Sequence, residues 1–516
     1  MKKIVLSIIV LIISISAIIY IANDNQSEFS SLCIDESSFD ELCESHTLSN
    51  ISLLNEIYFD DNKILLDNKN NRFYYSIVNN EYNPIVKWSE HVNVSFLGDI
   101  NENNIKNNNV VHVIAYDDSK YSLYELICTN LPLLNIEYNN VIENINLSLF
   151  DNNKNKTYNY SGTMHPRGNS TLAYPKLGYK IKLKDSDEKT NDISLLDLRV
   201  GTDYILYAGY NDQERIRNVF SMDLWWQGCR NNNSVDVDSG MYYKYVELFL
   251  NNEYWGLYAL GFPIDEIQYS LKQDEVLYFK WDNFDEKEVF VGGNDLSLED
   301  AYEIKAGPND SSSYDTLNDY YDTILHSNNV DDIYSVCDID NAIDIYLFTG
   351  LVMGSDSSSL TEMKDIFMCK KNNDNGYKFV YAPWDKDITW GNHWRFDEKN
   401  YTYEYHLPFD DVAHSSPLQN SPISRLVKID KENTSKLLKE RYNYLRNNEW
   451  SDDKVIGMLN NYESAIFDSG AYQRDIERWQ DSNQIEPELK LSNFKQFVLN
   501  RLKFVDDNFE KIYINY

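Results

Sequence analysis

The clearest alternation of apolar and polar positions lies between Asp365 and Tyr381. Two short runs rich in aromatic and β-branched residues, Ile366-Phe367-Met368-Cys369 and Tyr377-Lys378-Phe379-Val380-Tyr381, flank Asn372-Asn373-Asp374-Asn375-Gly376. Two such runs around an Asn/Gly turn predict a β-hairpin. Gly178-Tyr179-Lys180-Ile181-Lys182-Leu183 predicts a strand with Tyr179, Ile181 and Leu183 inward and the lysines on the opposite face. Val246 to Leu250, Asn251-Asn252 and Tyr254 to Tyr258 predict a second tight hairpin. Between 24 and 130, runs such as Arg72 to Val78, Val92 to Leu97 and Val110 to Tyr116 alternate with Asn/Asp/Gly clusters, the spacing of a small β-sandwich. The period becomes helical from Ile339 to Leu351 and again beyond Ser421, through Leu438, Tyr442, Leu445, Val455, Leu459, Phe494, Val498, Leu502, Val505 and Phe509. The stretch from Asp282 to Asp340 reads as polar turns, with Tyr302-Glu303-Ile304-Lys305 its one recognisable strand.

The N-terminus has no such period. Ile4 to Ala22 carry no charge and follow Lys2-Lys3, which predicts a membrane-targeting segment. The run exceeds a usual signal core, no Cys follows to accept lipid, and Tyr20 spoils a small-x-small cleavage site before Ala22. An uncleaved single-pass anchor is expected, with Lys2-Lys3 inside and the remainder of the chain outside the cell. The alternative is a cleaved signal and a secreted protein. The expected organisation is thus a membrane segment over 1–23, a β-rich domain over 24–130 and a mixed α+β domain over 131–516.

Charge narrows the partners. The 82 acidic against 47 basic residues give a net charge of −35, which repels nucleic acid and anionic lipid surfaces. The six cysteines form no Cys-x-x-Cys motif. Cys33 and Cys43 are the one close pair, either a disulfide or two unpaired thiols. Against the acidic background, 152–184 holds no Asp or Glu but seven Lys and Arg, among them Arg167, Lys176, Lys180 and Lys182. Arg167-Gly168-Asn169-Ser170-Thr171 has the composition of a loop whose amides face an anion. The bland alternative for Lys180 and Lys182 is a solvated strand face.

Acids collect at the open end of the 366–381 hairpin. Asp356, after Gly354-Ser355, precedes it, and Asp385 and Asp387 follow it in Pro383-Trp384-Asp385-Lys386-Asp387. In extended backbone the i, i+2 pair shares one face, and clustered carboxylates commonly hold a divalent cation. A helix-loop-helix calcium site is excluded, because its sixth and twelfth positions would be Trp390 and Phe396 instead of Gly and Glu. Asp-x-Asp also occurs in sugar-nucleotide transferases, and by chance in so acidic a chain. Asp212 is placed to cap the helix after Arg217-Asn218, and structural pairing of Asp212 with Arg217 is expected. His393, His406 and His414 follow no metal-ligand spacing and read as surface residues.

Taken together, Arg-Gly-Asn-Ser-Thr with Pro-Lys and Tyr-Lys-Ile-Lys-Leu, the Asp212-x-x-x-x-Arg217-Asn218 segment, the Tyr254-Trp255-Gly256-Leu257-Tyr258 hairpin, Gly-x-Asp at 354–356 and Pro-Trp-Asp-x-Asp-x-x-x-Gly at 383–391 resemble the CotH-type spore-coat kinase family. The resemblance runs from about Leu131 to Phe509, including Arg478-Trp479 and the last helix. It implies an α+β fold with a divergent, two-lobed protein-kinase-like domain and a helical C-terminal part. It implies ATP and Mg²⁺, or another divalent cation, as cofactors. By the same resemblance Asp385, with Asp387, would ligate the metal, and Asp356 would orient the attacking hydroxyl. Lys180 or Lys182, helped by Arg167, would hold phosphates. Asp365 stands where relatives often carry an Asn ligand, and Gly261-Phe262-Pro263-Ile264-Asp265 lacks the Glu that many relatives place there. The implied function is phosphorylation of Ser/Thr in cell-surface or spore-coat proteins. The alternative is a catalytically inactive surface scaffold of the same fold.

Overall fold

The computed structural model describes residues 25–88, 91–106, 110–139, 144–168, 170–184, 193–280, 302–354, 366–374, 376–392, 402–404 and 421–515. The expected membrane segment therefore lies outside the described residues. Among the described residues no helix is long and apolar enough to cross a membrane. The fold is a mixture of helices and largely antiparallel strands, as an α+β reading expects.

The chain divides into two compact units, one of Met1–Thr163, Tyr245–Leu257 and Ser464–Arg478, the other of Met164–Lys244, Tyr258–Glu463 and Trp479–Tyr516. The first holds two sheets. One has the order Asn25–Glu28, Ile85–Trp88, Ile57–Phe59, Asn62–Lys63; the other runs Cys33–Ile34, Asn93–Leu97, Val111–Tyr116, Lys120–Thr129, Arg72–Ser76, Leu65–Asp67. Ile57, Phe59, Val86 and Trp88 of the first sheet share one core with Phe73, Tyr75, Phe96, Val113 and Leu126 of the second, the packing of a sandwich.

The unit does not stop at the boundary expected near 131. Leu133–Tyr138 pairs in parallel with Tyr243–Leu250, from Leu133 opposite Glu247 to Ile136 opposite Leu250. Arg474 donates to both oxygens of Glu247 at 2.6 and 3.1 Å, with both side chains buried. Backbone pairing and a buried ion pair thus draw three distant stretches into one unit, which a reading in chain order cannot see. All six cysteines carry free thiols, so Cys33 and Cys43 follow the unpaired alternative.

In the first unit Leu133–Tyr138 also pairs with Ile145–Asp151, which pairs with Lys156–Arg167 up to Gly162; in the second, Gly178–Lys184 pairs with Asp203–Tyr207, and that strand with Ala259 to Gly261. Gly178–Lys184 has the predicted alternation, with Tyr179, Ile181 and Leu183 buried and Lys180, Lys182 and Lys184 exposed. In the second unit a further sheet runs Tyr302–Ala306, Val276–Lys280, Ile366–Asn373, Gly376–Pro383. The polar stretch before 340 also contains two helices the sequence reading missed, Ser311–His326 and Val330–Val336. Leu317, Tyr320, Tyr321 and Ile324 form the buried face of the first. Tyrosines supply half of that stripe, so a count of aliphatic residues underweights it. Helix Ile339–Val352 and the helices from Pro422 to Tyr513 follow the predicted period.

Candidate functional site

Every described candidate residue lies in the second unit. Strands Ile366–Asn373 and Gly376–Pro383 pair from Ile366 opposite Pro383 to Asn373 opposite Gly376, the predicted hairpin. Gly376 has φ +120°, a backbone conformation that favours glycine. Helix Ile339–Val352 ends where Met353 turns left-handed, and the Trp390 N–H donates to the Val352 carbonyl at 2.7 Å. The loop that follows the hairpin is thereby fastened to the end of the helix that precedes it. Asp356 and Asp365, between Gly354 and Ile366, lie outside the described residues, as do Asn169 and the three histidines of the 393–414 stretch.

The two aspartates of the loop do not sit in extended backbone as expected. The strand ends at Pro383, and Asp385 is left-handed at φ +50° and exposed, whereas Asp387 is buried. The physical reason is anchoring of the loop to helix Arg217–Gly228. The Lys386 N–H donates to Asn218 Oδ1 at 2.9 Å, Trp390 Nε1 donates to Ser221 Oγ at 3.0 Å, and the Thr389 and Ser221 hydroxyls meet at 3.2 Å. These bonds require a turn that a continued strand would not make.

Asp385 and Asp387 nonetheless act on the same two phenols. Burial pushes Tyr207 well above its ordinary pKa, and the charges of Asp387, Asp212 and Asp385 push it further. Tyr243 is raised by burial, with the Arg167 charge opposing and Asp385 and Asp387 adding to the rise. Arg167 lies with its guanidinium 5.0 Å from the Trp384 ring centroid, next to Asp385. Gly168 holds the turn beside it: φ is +122°, and a Cβ there would fall 1.8 Å from Thr171 Oγ1. Arg167, Asp385 and Asp387 are thus brought together. Lys180 and Lys182 are not. Both project from the exposed face of Gly178–Lys184, and Lys180 Nζ sits 3.3 Å from Asp203 Oδ1. Lys176 is the buried cation of this stretch, its ammonium 4.7 Å from the Tyr258 ring centroid. Its sequence signals were membership of the acid-free segment and the Pro-Lys step of the first family motif.

The family model described as CotH kinase protein matches residues 164–505. The chain belongs to the CotH kinase protein family. No curated protein matches it. The matched region starts at the first residue of the second compact unit, later than the 131 expected from motifs, and includes every candidate site residue.

Within the CotH kinase region, Asp212 and Arg217 behave as structure. The Arg217 N–H donates to Asp212 Oδ2 at 2.6 Å and its Nη1 to Asp212 Oδ1 at 2.7 Å, while Glu214 also accepts from Nη1. Asp212 therefore caps helix Arg217–Gly228 from five residues upstream of the N–H it serves. Burial would lower the Arg217 pKa, but the two carboxylates raise it instead.

Several buried polar atoms of the CotH kinase region, Arg217 Nε among them, have no partner among the described residues, and two of them lie near the 383–392 loop. Asn392 Nδ2 donates to the main-chain carbonyls of Asp387 at 3.0 Å and Asn211 at 3.5 Å. Carbonyls only accept, so these bonds fix the orientation of the amide. Asn392 Oδ1 then has no donor among the described residues, in a side chain only 1% exposed. The Tyr207 hydroxyl, near the carboxylates named above, is likewise buried and unpartnered among the described residues. A buried amide oxygen without a donor, on a side chain bonded to the main chain of an acidic loop, has the chemistry of a ligand for a hard divalent cation. Among the described residues no group of three or more His, Cys, Asp or Glu side chains could hold a metal.

Proposed function

We propose that the protein is an atypical protein kinase that transfers the γ-phosphoryl group of ATP to Ser/Thr hydroxyls of cell-surface or spore-coat proteins, with Mg²⁺ or another divalent cation. The observation that carries this reading is the gathering of Arg167, Asp385 and Asp387 around Tyr207 and Tyr243 within the family region. The domain would be a divergent two-lobed kinase-like fold. Asp385 and Asp387 would hold the cation, with Asp365 in reserve, and a bound cation would neutralise phosphate charge that otherwise faces a chain of net charge −35. Arg167 would meet the phosphates from the side of Trp384, with Lys180 or Lys182 on strand Gly178–Lys184. Asp356 would take the proton of the acceptor hydroxyl as its oxygen bonds to the γ-phosphorus and the bond to the bridging oxygen breaks, releasing ADP. The chain would be held at the membrane by residues 4–22, with this domain outside.

The rival reading is a surface scaffold without catalysis, and one observation favours it: Lys180 is engaged by Asp203 on a solvated face. The test is to give the purified chain ATP with Mg²⁺, follow its melting temperature, and measure labelled phosphate passed to a Ser/Thr-rich acceptor protein. A thermal rise with transfer that Asp356→Asn abolishes supports the kinase. Neither rise nor transfer leaves the scaffold, and a rise with UDP-sugars alone indicates a glycosyl donor.

A further inference from the structure

We infer that Asn392 supplies a neutral oxygen ligand, beside Asp385 and Asp387, to a hard divalent cation. The inference rests on the metal-dependent reading above and deepens it. Its ground is the orphaned Oδ1. The amide nitrogen of Asn392 is fixed by two acceptors, one of them the carbonyl of Asp387 itself, so the oxygen is held close to the acidic loop and cannot exchange places with the nitrogen. A buried acceptor with no donor is destabilising. A cation relieves that penalty and also the repulsion between two carboxylates of one short loop.

The Tyr207 hydroxyl is a second and independent sign of a ligand. Its neighbours Asp387, Asp212 and Asp385 are acceptors, yet it bonds to none of them. A phenol hydroxyl left open in this way is able to donate to an oxygen carried in by a ligand. Asn392 escaped the sequence reading because one Asn among many in an Asn-rich chain carries no signal until its amide nitrogen is seen to be occupied.

The test uses Mn²⁺ alone on the full purified chain, with affinity from calorimetric titration and melting temperature in EDTA and in Mn²⁺. Asn392→Ser withdraws the oxygen and should weaken Mn²⁺ binding at least about tenfold, the scale seen when a group supporting a metal site is removed. Asn392→Asp loses the amide donor but keeps an oxygen, so it should melt lower in EDTA and still show a Mn²⁺-induced rise no smaller than wild type. If Asn392 only braces the loop, both substitutions lower the melting temperature in EDTA and leave Mn²⁺ affinity unchanged, which overturns the inference. Should Asn392→Ser fail to fold, loss of the Mn²⁺ rise in Asn392→Asp overturns it alone. Asp385→Asn separates the two claims: if it abolishes Mn²⁺ binding while the Asn392 variants retain it, the metal reading stands and this inference falls. A wild-type chain that binds neither Mn²⁺ nor ATP with Mg²⁺ defeats the underlying reading.

Discussion

Two acidic corners of the same unit differ in how their polar groups are used. At the start of helix Arg217–Gly228, both oxygens of Asp212 are taken by Arg217. In the 383–392 loop, Asp385 is exposed in a left-handed turn, and Asn392 Oδ1 and the nearby Tyr207 hydroxyl are buried without partners among the described residues. Both corners carry family motifs and similar residue types. The carboxylate of the first corner is committed to an arginine, and the open buried atom there, Arg217 Nε, is a donor, whereas the open buried atoms of the second are oxygens. The largest expected effect tests the closed corner. Arg217→Met would leave Asp212 and Glu214 buried without their cation, and such broken buried pairs destabilise by about 3–5 kcal/mol. Denaturant unfolding measures this, and a loss below about 1 kcal/mol would mean that Asp212 is not committed to structure.

The open corner should respond in the opposite way. Asp385→Asn sits where Asn tolerates the left-handed backbone and where the side chain is exposed, so stability should change by no more than about 0.5 kcal/mol. Metal-dependent nucleotide binding, read by calorimetry with ATP and Mg²⁺, should nevertheless fall by about a hundredfold or more, because the triphosphate would meet the acidic loop less well neutralised. A variant that unfolds, or one that binds as wild type does, would erase the contrast between the corners.

Much of this scaffold was legible in the sequence because its elements are local. The hairpin around Asn372–Gly376 follows from turn chemistry, the Gly178–Lys184 strand from period 2, and helix Ile339–Val352 from its helical period. The gathering of acids after the hairpin was also legible. What tertiary bonding decides was not. The Asn218, Ser221 and Val352 contacts turn the backbone at Asp385 and separate one exposed carboxylate from one buried. Which lysine of an acid-free stretch goes inside is equally a packing outcome: Lys176 lies against Tyr258, and Lys180 and Lys182 stay in water. The grouping of 133–163 with 245–257 and 464–478 depends on a parallel pairing across more than 100 residues.

A smaller effect sharpens the idea of the open corner. Tyr207→Phe removes a buried hydroxyl that satisfies nothing, so the ligand-free protein should be as stable as wild type or more stable by about 1 kcal/mol. The added stability conferred by ATP with Mg²⁺ should shrink in the same variant. A clear loss of stability without ligand would show that the phenol already has a partner in solution, most simply a bound water.

The smallest effect concerns the two kinds of cation near the first family motif. Lys180 and Asp203 form a pair in which the lysine side chain is 54% exposed. Exposed pairs contribute about 0–1 kcal/mol and weaken with salt, so Lys180→Ala should barely move the unfolding midpoint, and less at high ionic strength. Its effect on ATP affinity separates two roles that sequence alone could not. If Lys180 remains with Asp203 when nucleotide binds, affinity changes by less than about fivefold, because less than about 1 kcal/mol is withdrawn. Arg167→Ala, by contrast, removes the cation stacked on Trp384 whose charge reaches Tyr243 together with those of Asp385 and Asp387, and should weaken ATP binding more than Lys180→Ala does. Equal losses in the two variants would mean that Lys180 leaves Asp203 for the phosphates, and the solvated strand face would then belong to the site.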